Sequence, residues 1–265
     1  MIPDSAWQPR RIDVASVPNL RDVGGAPAGG GRRVKPRTLY RSTQLAALTD
    51  TDRSAIDALG LSTVVDLRTA VEVQRAPDVD LDVQYVWLDV LRDYAMASAV
   101  GLEDVFADPE QFETILRDGT AEAMMRDAYL AMVDLGSARE SYARWLHDLA
   151  ASEGPVLVHC TNGKDRTGWA IALALLTVGV DERAVLIDYL TTNDQLLPVL
   201  EGVLNGVAQR GIDPELLLPI VGVRQEYLET ALQRVVQIGG MSAYLDDIGV
   251  AEDLREALRH RLTEV

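Results

Sequence analysis

The chain has 265 residues, of which 48% are hydrophobic and 25% are charged, and its net charge at pH 7 is −16. This composition is typical of a folded globular protein, and no apolar run approaches the roughly 20 residues that a membrane-spanning helix needs. The negative charge argues against nonspecific binding to nucleic acid or to an anionic membrane.

The organisation of the chain follows from its length, its first residues and its cysteine content. A chain of this length can bury a large core, and we expect one domain covering residues 1–265. The first seven residues lack the basic start and apolar core of a signal peptide, so a cytoplasmic location is expected, with signal-independent export left open. Cys160 is the only cysteine, which excludes an internal disulfide and a cysteine-rich zinc site.

Helix and strand patterns alternate along the chain. A short Gly-rich turn over 26–31 precedes an extended segment at 34–40. Helices are predicted, in chain order, over 50–59 with Gly60 as its end, over 109–119, from Thr120, and over 137–151. Buried strands are predicted over 61–67, 83–88 and 155–158. This alternation predicts an α/β fold with a mostly parallel central sheet flanked by helices.

One ten-residue segment carries most of the chemistry: residues 159–168 read H-C-T-N-G-K-D-R-T-G. An apolar strand precedes it and an apolar helix over 169–178 follows it, which predicts a strand, a tight loop and a helix. The loop then lies at the carboxyl end of a central strand, where open α/β sheets place their ligands. The thiol of Cys160 stands six positions before Arg166, at the entrance of this loop.

This spacing suits a phosphate dianion. The residues between the thiol and Arg166 can curl so that their backbone N–H groups point inward, and the following helix adds its positive end. Arg166 can clamp two phosphate oxygens, and the same field is expected to stabilise the thiolate of Cys160. The predicted substrate-binding residues of the loop are Thr161, Asn162, Gly163, Lys164 and Thr167.

Individual roles follow within the loop. Gly163 allows a positive φ and a close approach of the backbone. Thr167 can donate its hydroxyl to the sulfur, and His159 is expected to orient the loop through a ring N–H. Lys164 is predicted at the rim of the pocket, suited to a second phosphate or an inositol ring, the alternative being a solvated lysine. A lone cysteine is more often a small buried hydrophobe, but the flanking residues favour a nucleophile.

The loop resembles that of the bacterial atypical protein tyrosine/serine phosphatases, within the cysteine-dependent phosphatase superfamily, which usually read H-C-x-A-G-K-D-R-T-G. Further blocks resemble the same family: N-L-R-D-V-G-G at 19–25, L-Y-R-S at 39–42, V-D-L-R-T at 65–69, Y-L-T-T-N-D at 189–194 and V-R-Q-E-Y-L at 223–228. The resemblance spans about residues 17–260. It implies a cysteine-phosphatase fold, with Cys160 as nucleophile and Arg166 as phosphate clamp. Asn162 departs from the usual alanine, which affects the expected substrate preference.

The general acid has two candidates. The resemblance implies acid or orienting work for Asp165, which lies within reach of a leaving oxygen because it belongs to the loop itself. Asp89 ends a predicted strand and could act from a separate loop, as an aspartate does in classical tyrosine phosphatases. Asp165 is preferred, the alternative being that it only caps the helix. Asp66 also ends a strand, but its D-L-R setting favours a fixed bond.

The sequence therefore predicts a protein tyrosine phosphatase, acting on phosphoserine and phosphothreonine as well, that works through a cysteinyl-phosphate without a metal or organic cofactor. A phosphoinositide or inositol phosphate phosphatase is the alternative, and a non-catalytic phosphate-binding scaffold is the alternative of another class. The expected partners are a phosphoprotein or phosphoinositide substrate and inorganic phosphate.

Two segments and four arginines outside the loop are predicted to support or cover the site. Residues 93–120 and 193–222 could cover the site, and the second is predicted as a helical lid, with ordinary core packing as the alternative. Four arginines recur in the matching blocks, and we expect most to pair with carboxylates and one to lie near the loop: Arg21, Arg41, Arg68 and Arg224.

Overall fold

The structure is a computed structural model that describes residues 7–94 and 119–265. The helix predicted over 109–119 and most of the acidic segment 93–120 therefore fall outside the described residues. The other predicted elements can be compared directly with the structure.

A six-stranded sheet with the order β1-β2-β4-β7-β5-β6 forms the centre of the fold. The strands β4, β7, β5 and β6 are parallel to one another. At one edge of the sheet, β2 pairs antiparallel with β4, and β1 pairs antiparallel with β2. The strands are β1 Arg10–Arg11, β2 Arg21–Asp22, β3 Arg33–Val34, β4 Leu39–Ser42, β5 Thr63–Asp66, β6 Gln84–Trp87, β7 Val156–His159 and β8 Thr263–Glu264. The predicted α/β fold with a mostly parallel sheet is confirmed. The short β3 pairs with β8, which the sequence pattern did not predict.

The register brings three strand ends together. His159, the last residue of β7, is aligned with Ser42 on β4 and with Asp66 on β5. Because these strands are parallel, the loops that follow them leave from the same edge of the sheet. The segment after Cys160 is therefore flanked on both sides by chain that the neighbouring strands supply.

Helices pack around the sheet. They are α1 Asp50–Asp57, α2 Ala70–Arg75, α3 Thr120–Asp134, α4 Gly136–Ala151, α5 Asp165–Thr177, α6 Glu182–Leu196, α7 Glu201–Ala208, α8 Leu218–Val221, α9 Gln225–Ile238, α10 Met241–Asp247 and α11 Glu252–Leu262, with 3-10 turns at Gly29–Gly31 and Pro214–Leu217. The predicted helices at 50–59 and 137–151 are confirmed to within two residues at each end.

The central strand is buried on both faces. Val156 and Val158 point into a large core that also contains Trp145 and Trp169, while Leu157 points into a second core on the opposite face. Alternate residues of a strand face opposite sides, so an apolar run without polar breaks is what a strand covered by helices on both faces requires.

A separate small apolar cluster joins α7, the 3-10 turn and α8 to the first turn of α3, through Val207, Leu217, Val221 and Ala121. Apart from Ala121, the buried residues of this cluster belong to the segment 193–222 that is predicted as a lid. Over the two described stretches of chain, the helices fall short of the length and apolar character that crossing a bilayer takes.

Candidate active site

The segment that follows β7 turns sharply into α5. Cys160 is almost fully buried, with 2% of its surface exposed, and Gly163 has a φ of 60°. A Cβ atom on Gly163 would lie 1.9 Å from the carbonyl oxygen of Ser42, the last residue of β4. Only glycine fits, because the backbone must pass against the neighbouring strand end in a left-handed conformation.

The carbonyl groups of this loop are all bonded on its outer side. Gln44 N donates to the Thr161 carbonyl at 3.1 Å, and Asn19 Nδ2 donates to those of Asn162 and Gly163 at 3.2 and 2.9 Å. Arg41 Nη2 donates to the carbonyls of Gly163 and Lys164 at 2.7 and 3.4 Å.

The backbone N–H groups of the same loop form no comparable hydrogen bonds within the described part of the chain. Among the described residues, the N–H groups of 161–166 donate to no acceptor. Since the carbonyls are already bonded to groups outside the loop, these N–H donors stay available to an anion, as an anion-binding nest requires.

A buried ion triad supports the loop from behind. Asp188 on α6 pairs with Arg21 Nε at 2.8 Å and with Arg41 Nη1 at 2.5 Å, and all three side chains are at most 1% exposed. Burial acts to raise the pKa of Asp188, but the two guanidinium groups outweigh it and hold that pKa below its usual value. Arg21 also donates to Asn19, so the triad orients two of the donors to the loop carbonyls, Asn19 and Arg41. Of the four arginines in the matching blocks, Arg41 is the one that contacts the loop.

Arg166 is held by a carboxylate that the sequence analysis did not select. Glu72 on α2 accepts from Arg166 Nη1 at 2.6 Å and Nη2 at 2.7 Å, and from Thr161 Oγ1 at 2.5 Å. Burial opposes the ionisation of Glu72, but the hydrogen bonds and charge of Arg166 hold its pKa far below the usual range. Burial likewise acts to lower the pKa of Arg166, but Glu72 outweighs it and raises that pKa.

Lys164 does not lie at the rim, where the sequence placed it. Its side chain is 6% exposed, and its ammonium donates to the carbonyls of Ile220 at 2.5 Å and Gly222 at 3.2 Å. It also lies 3.0 Å from Asp165 Oδ2. The ammonium faces inward because backbone carbonyls at the end of α8, distant in sequence, supply its acceptors.

The two candidate acids have different surroundings. Asp165 is held at both oxygens: Oδ1 accepts from Tyr129 at 3.0 Å, and Oδ2 lies beside Lys164. Burial raises the pKa of Tyr129 well above its usual value, so its hydroxyl keeps the proton that it donates. Asp89 Oδ2 accepts from the N–H of Ala70 at 3.1 Å, while Oδ1 has no partner among the described residues. Burial raises the pKa of Asp89.

A second polar cluster lies behind Cys160. His159 Nδ1 lies 3.2 Å from the Cys160 carbonyl and its Nε2 lies 3.0 Å from Asp78 Oδ2, so the ring touches the loop as predicted. Asp66 and Asp78 both pair with Arg68, at 2.6 and 3.0 Å, which confirms the fixed bond expected for Asp66.

The carboxylates of this cluster, together with His159, are spaced closely enough to hold a metal ion. The guanidinium of Arg68 already lies between the two carboxylates and supplies the positive charge that they need. An ion could enter only by displacing this buried arginine, so the donor set does not fit a metal site.

The remaining predicted residues lie around the loop. Thr167 is buried and its hydroxyl has no partner among the described residues, so the predicted bond to the sulfur is not formed. Asn162 is exposed at the loop surface, while Arg224 pairs with Glu122 at 2.7 Å.

Sequence reasoning missed three residues of the support: Asn19, Glu72 and Asp188. Asn19 stands inside a matching block and Asp188 directly before one, but their partners lie far away in sequence. Glu72 had a local signal, because T-A-V-E at 69–72 is a capping box, and both reciprocal bonds of that box are present.

Comparison with known proteins agrees with this geometry. The Tyrosine phosphatase family matches residues 12–264. The chain is 32% identical over 263 residues to the triple specificity protein phosphatase PtpB of Mycobacterium tuberculosis, covering 88% of this chain and 92% of that protein. It is 29% identical to a putative tyrosine-protein phosphatase of Cupriavidus necator (92% and 87% covered) and 30% identical to a tyrosine-protein phosphatase of Nostoc commune (89% and 78% covered).

Among solved structures, the crystal structure of P. aeruginosa TpbA matches 71% of this chain and 80% of its own, with a TM-score of 0.38 and 20% identity, a likeness too slight to carry weight. The family match confirms the resemblance that the loop motif predicted. The protein is a phosphomonoester hydrolase of the protein tyrosine phosphatase type, and the chain belongs to the tyrosine phosphatase family.

Proposed function

We propose that this protein hydrolyses phosphotyrosine in proteins, and phosphoserine and phosphothreonine as well, through a covalent phosphate on Cys160. The observation that carries the assignment of the site is the loop of residues 161–166, whose carbonyls are tied outward and whose amides are not. The six N–H groups of residues 161–166, which donate to no acceptor among the described residues, and the Arg166 fork supply the donors that the three equatorial oxygens of a phosphoryl group require. The relatives named as phosphatases of tyrosine and of triple specificity support this substrate class.

The reaction proceeds in two displacements. Cys160 Sγ forms a bond to phosphorus while the bond between phosphorus and the leaving oxygen breaks, and an aspartate gives that oxygen a proton. Water then attacks the cysteinyl-phosphate and gives a proton to the aspartate that was ionised in the first step, the sulfur–phosphorus bond breaks to restore the thiolate, and inorganic phosphate leaves. The hydroxyl of Thr167, buried and without a partner in the described part of the chain, is available to donate to the departing sulfur.

The proton donor is proposed to be one of two aspartates. Asp165 has the better reach by sequence, since it belongs to the loop. The contacts favour Asp89, because Tyr129 and Lys164 already engage the two oxygens of Asp165, whereas burial raises the pKa of Asp89 and so favours its protonated form.

Leaving-group dependence separates the two. Asp165→Asn and Asp89→Asn are compared on aryl phosphates whose leaving groups range from good to poor. The variant that lacks the acid slows by about 10²- to 10⁴-fold on the poor leaving group and far less on the good one. Equal slowing of a variant on all substrates assigns that aspartate to orientation of the loop instead.

The substrate is tested with a panel of a phosphotyrosine peptide, a phosphoserine peptide and a phosphoinositide, with Cys160→Ser as the inactive control. In the sequence, Lys164 is the residue that favours a phosphoinositide. Its ammonium is buried against backbone carbonyls. We therefore expect the phosphopeptides to react faster. Preference for the phosphoinositide would reverse this assignment, and absence of turnover on every phosphoester, with substrate retained by Cys160→Ser, would favour the scaffold.

The proposal needs no metal, because the loop and Arg166 supply all the positive charge. Full activity in the presence of a chelator is expected, and strong loss would contradict the mechanism. We also propose that residues 193–222 act as a lid. Amide exchange in this segment should slow when orthovanadate binds, whereas equal exchange in both states would count against a lid. A single domain and a cytoplasmic location stay predictions from the sequence.

A further inference from the structure

Glu72 brings a full negative charge to the edge of a site that must bind a dianion. Its carboxylate accepts from both terminal nitrogens of Arg166 and from Thr161, and it also accepts from the N–H and hydroxyl of Thr69 at 2.8 and 2.9 Å. Its side chain is 30% exposed and that of Arg166 13%. A charge in this place repels phosphate, so its presence calls for a compensating role.

The geometry of the ion pair shows what that role can be. A guanidinium has two edges that each present two N–H donors: one formed by Nη1 and Nη2, the other by Nε and Nη2. Glu72 occupies the first edge, with distances of 2.6 and 2.7 Å. Arg166 Nε donates to none of the described residues, so the second edge stays available as a two-donor fork for phosphate.

Thr161 and Thr69 fix the carboxylate in turn. The capping box ties Glu72 to the first turn of α2, and the 2.5 Å bond from Thr161 ties it to the loop. The orientation of Arg166 is therefore set by two elements that lie on either side of it. A guanidinium on a flexible stem loses less freedom on binding an anion when it is already held in place.

Resting on the proposed phosphatase function, we propose that Glu72 is a positioning residue, which grips one edge of Arg166 so that the other edge faces the phosphoryl group. It does not touch the substrate, and it acts through Arg166 alone. Its negative charge is tolerated because a correctly aimed two-donor clamp strengthens binding of the phosphoryl group more than the charge weakens it.

Glu72→Gln distinguishes positioning from simple electrostatics because the two effects change the affinity for an anion in opposite directions. Glutamine keeps the shape and can still serve in a capping box, but it cannot accept from both terminal nitrogens. Loss of a negative charge beside the site by itself tightens anion binding. Loss of the correct orientation of Arg166 weakens anion binding. A misplaced catalytic group lowers the rate by roughly 10- to 100-fold.

The experiment measures orthovanadate inhibition and the kcat and KM of p-nitrophenyl phosphate hydrolysis for the full chain. Positioning predicts that Glu72→Gln weakens vanadate binding and lowers kcat/KM, each by about 10-fold or more. Tighter or unchanged vanadate binding would overturn the inference. If wild type neither turns over nor binds vanadate, the proposed function fails instead, so the two failures are distinguishable.

Two controls separate positioning from helix stability. Thr69→Ala removes the capping hydroxyl of α2 but leaves both bonds between Glu72 and Arg166, and Glu122→Gln breaks an Arg–Glu pair of the same 2.7 Å length elsewhere. Glu122→Gln should change vanadate binding less than about threefold, since it does not touch the contacts of Arg166. Thr69→Ala should weaken vanadate binding by no more than about two- to fivefold, since one hydrogen bond to the carboxylate is lost while the grip on Arg166 stays. A loss in Thr69→Ala equal to that in Glu72→Gln would show that Glu72 only stabilises α2.

A last variant covers the case that Glu72→Gln does not fold. Thr161→Val removes the bond from the loop to the carboxylate while leaving the charge and the grip on Arg166 in place. A weakening of vanadate binding by about two- to fivefold supports the inference, because one neutral hydrogen bond to a charged group is lost. Unchanged binding in this variant would contradict it.

Discussion

Asp188 contributes both to the stability of the fold and to the position of the loop that follows Cys160. Its carboxylate is 1% exposed and lies between Arg21 at 2.8 Å and Arg41 at 2.5 Å, both of which are fully buried. Asp188→Asn keeps the size of the side chain and removes its charge. Two buried guanidinium groups then lie together without a neutralising carboxylate. An uncompensated buried charge of this kind strongly destabilises the folded state.

The expected loss is large. Removing one partner of a buried ion pair costs about 3–5 kcal/mol of unfolding free energy. In a domain of this size, 1 kcal/mol shifts the melting temperature by about 2–4 °C, so Asp188→Asn should melt roughly 6–20 °C lower than wild type. Arg41 also donates to the Gly163 carbonyl at 2.7 Å, so turnover should fall at temperatures at which the variant is still folded.

Thermal unfolding followed by circular dichroism, together with the kcat of p-nitrophenyl phosphate hydrolysis at 20 °C below each melting temperature, tests both expectations. The matched control is Asp57→Asn, because Asp57 pairs with Arg53 at 3.9 Å and both side chains are exposed. Surface pairs contribute about 0–1 kcal/mol, so this control should melt within about 3 °C of wild type. A shift of Asp188→Asn no larger than that of the control would refute the argument from burial.

Three further outcomes are expected. Gly163→Ala should lower turnover by about 100-fold or more, because the added Cβ meets the Ser42 carbonyl at 1.9 Å and displaces the loop, whereas activity near wild type would show that the backbone can shift freely. Lys164→Met should speed amide exchange at residues 218–222 and leave the KM for p-nitrophenyl phosphate nearly unchanged, whereas a large rise in KM with unaltered exchange would mean that the ammonium binds substrate. The pKa of Glu72 is depressed, so its ion pair stabilises the fold fully above the unfolded value of about 4.3 and is lost as the pH falls through the folded value. The difference in melting temperature between wild type and Glu72→Gln should thus stay constant from about pH 8 to 5 and shrink below about pH 4, and a difference that vanishes near pH 6 would contradict this.

The nucleophile loop and the parallel sheet could be predicted because their signals are local. An apolar strand, a glycine-containing loop and an apolar helix follow one another without interruption, and each part needs only its own residues to be recognised. The central strand is covered on both faces and is therefore recognisable by an unbroken apolar run. The pairing of β3 with β8 has no such signal, since it joins two-residue strands from opposite ends of the chain.

The direction of a side chain was harder to predict when its partners are remote. Lys164 is predicted at the rim because a compact ammonium within the loop suits a second phosphate, yet its acceptors are the carbonyls of Ile220 and Gly222, more than fifty residues further along. Glu72 is recognisable as the last residue of the capping box at 69–72, but its pairing with Arg166 spans 94 residues. Local chemistry thus identifies the reactive residues, whereas the sheet register decides what surrounds them.

The short blocks that resembled a family one by one have a common physical purpose. Asn19 and Arg41 hold the loop carbonyls, Asp66 and Arg68 hold His159 and Asp78 behind the thiol, and Thr69 leads to the carboxylate that grips Arg166. The blocks at 19–25, 39–42 and 65–69 thus each contribute a donor or acceptor that supports this loop, directly or through His159 and Glu72, and none of the three can do so alone. A ring of amides can point inward only while every carbonyl of the ring has a partner outside. Loss of any one outer partner should therefore weaken phosphate binding without any change to the residues that touch phosphate.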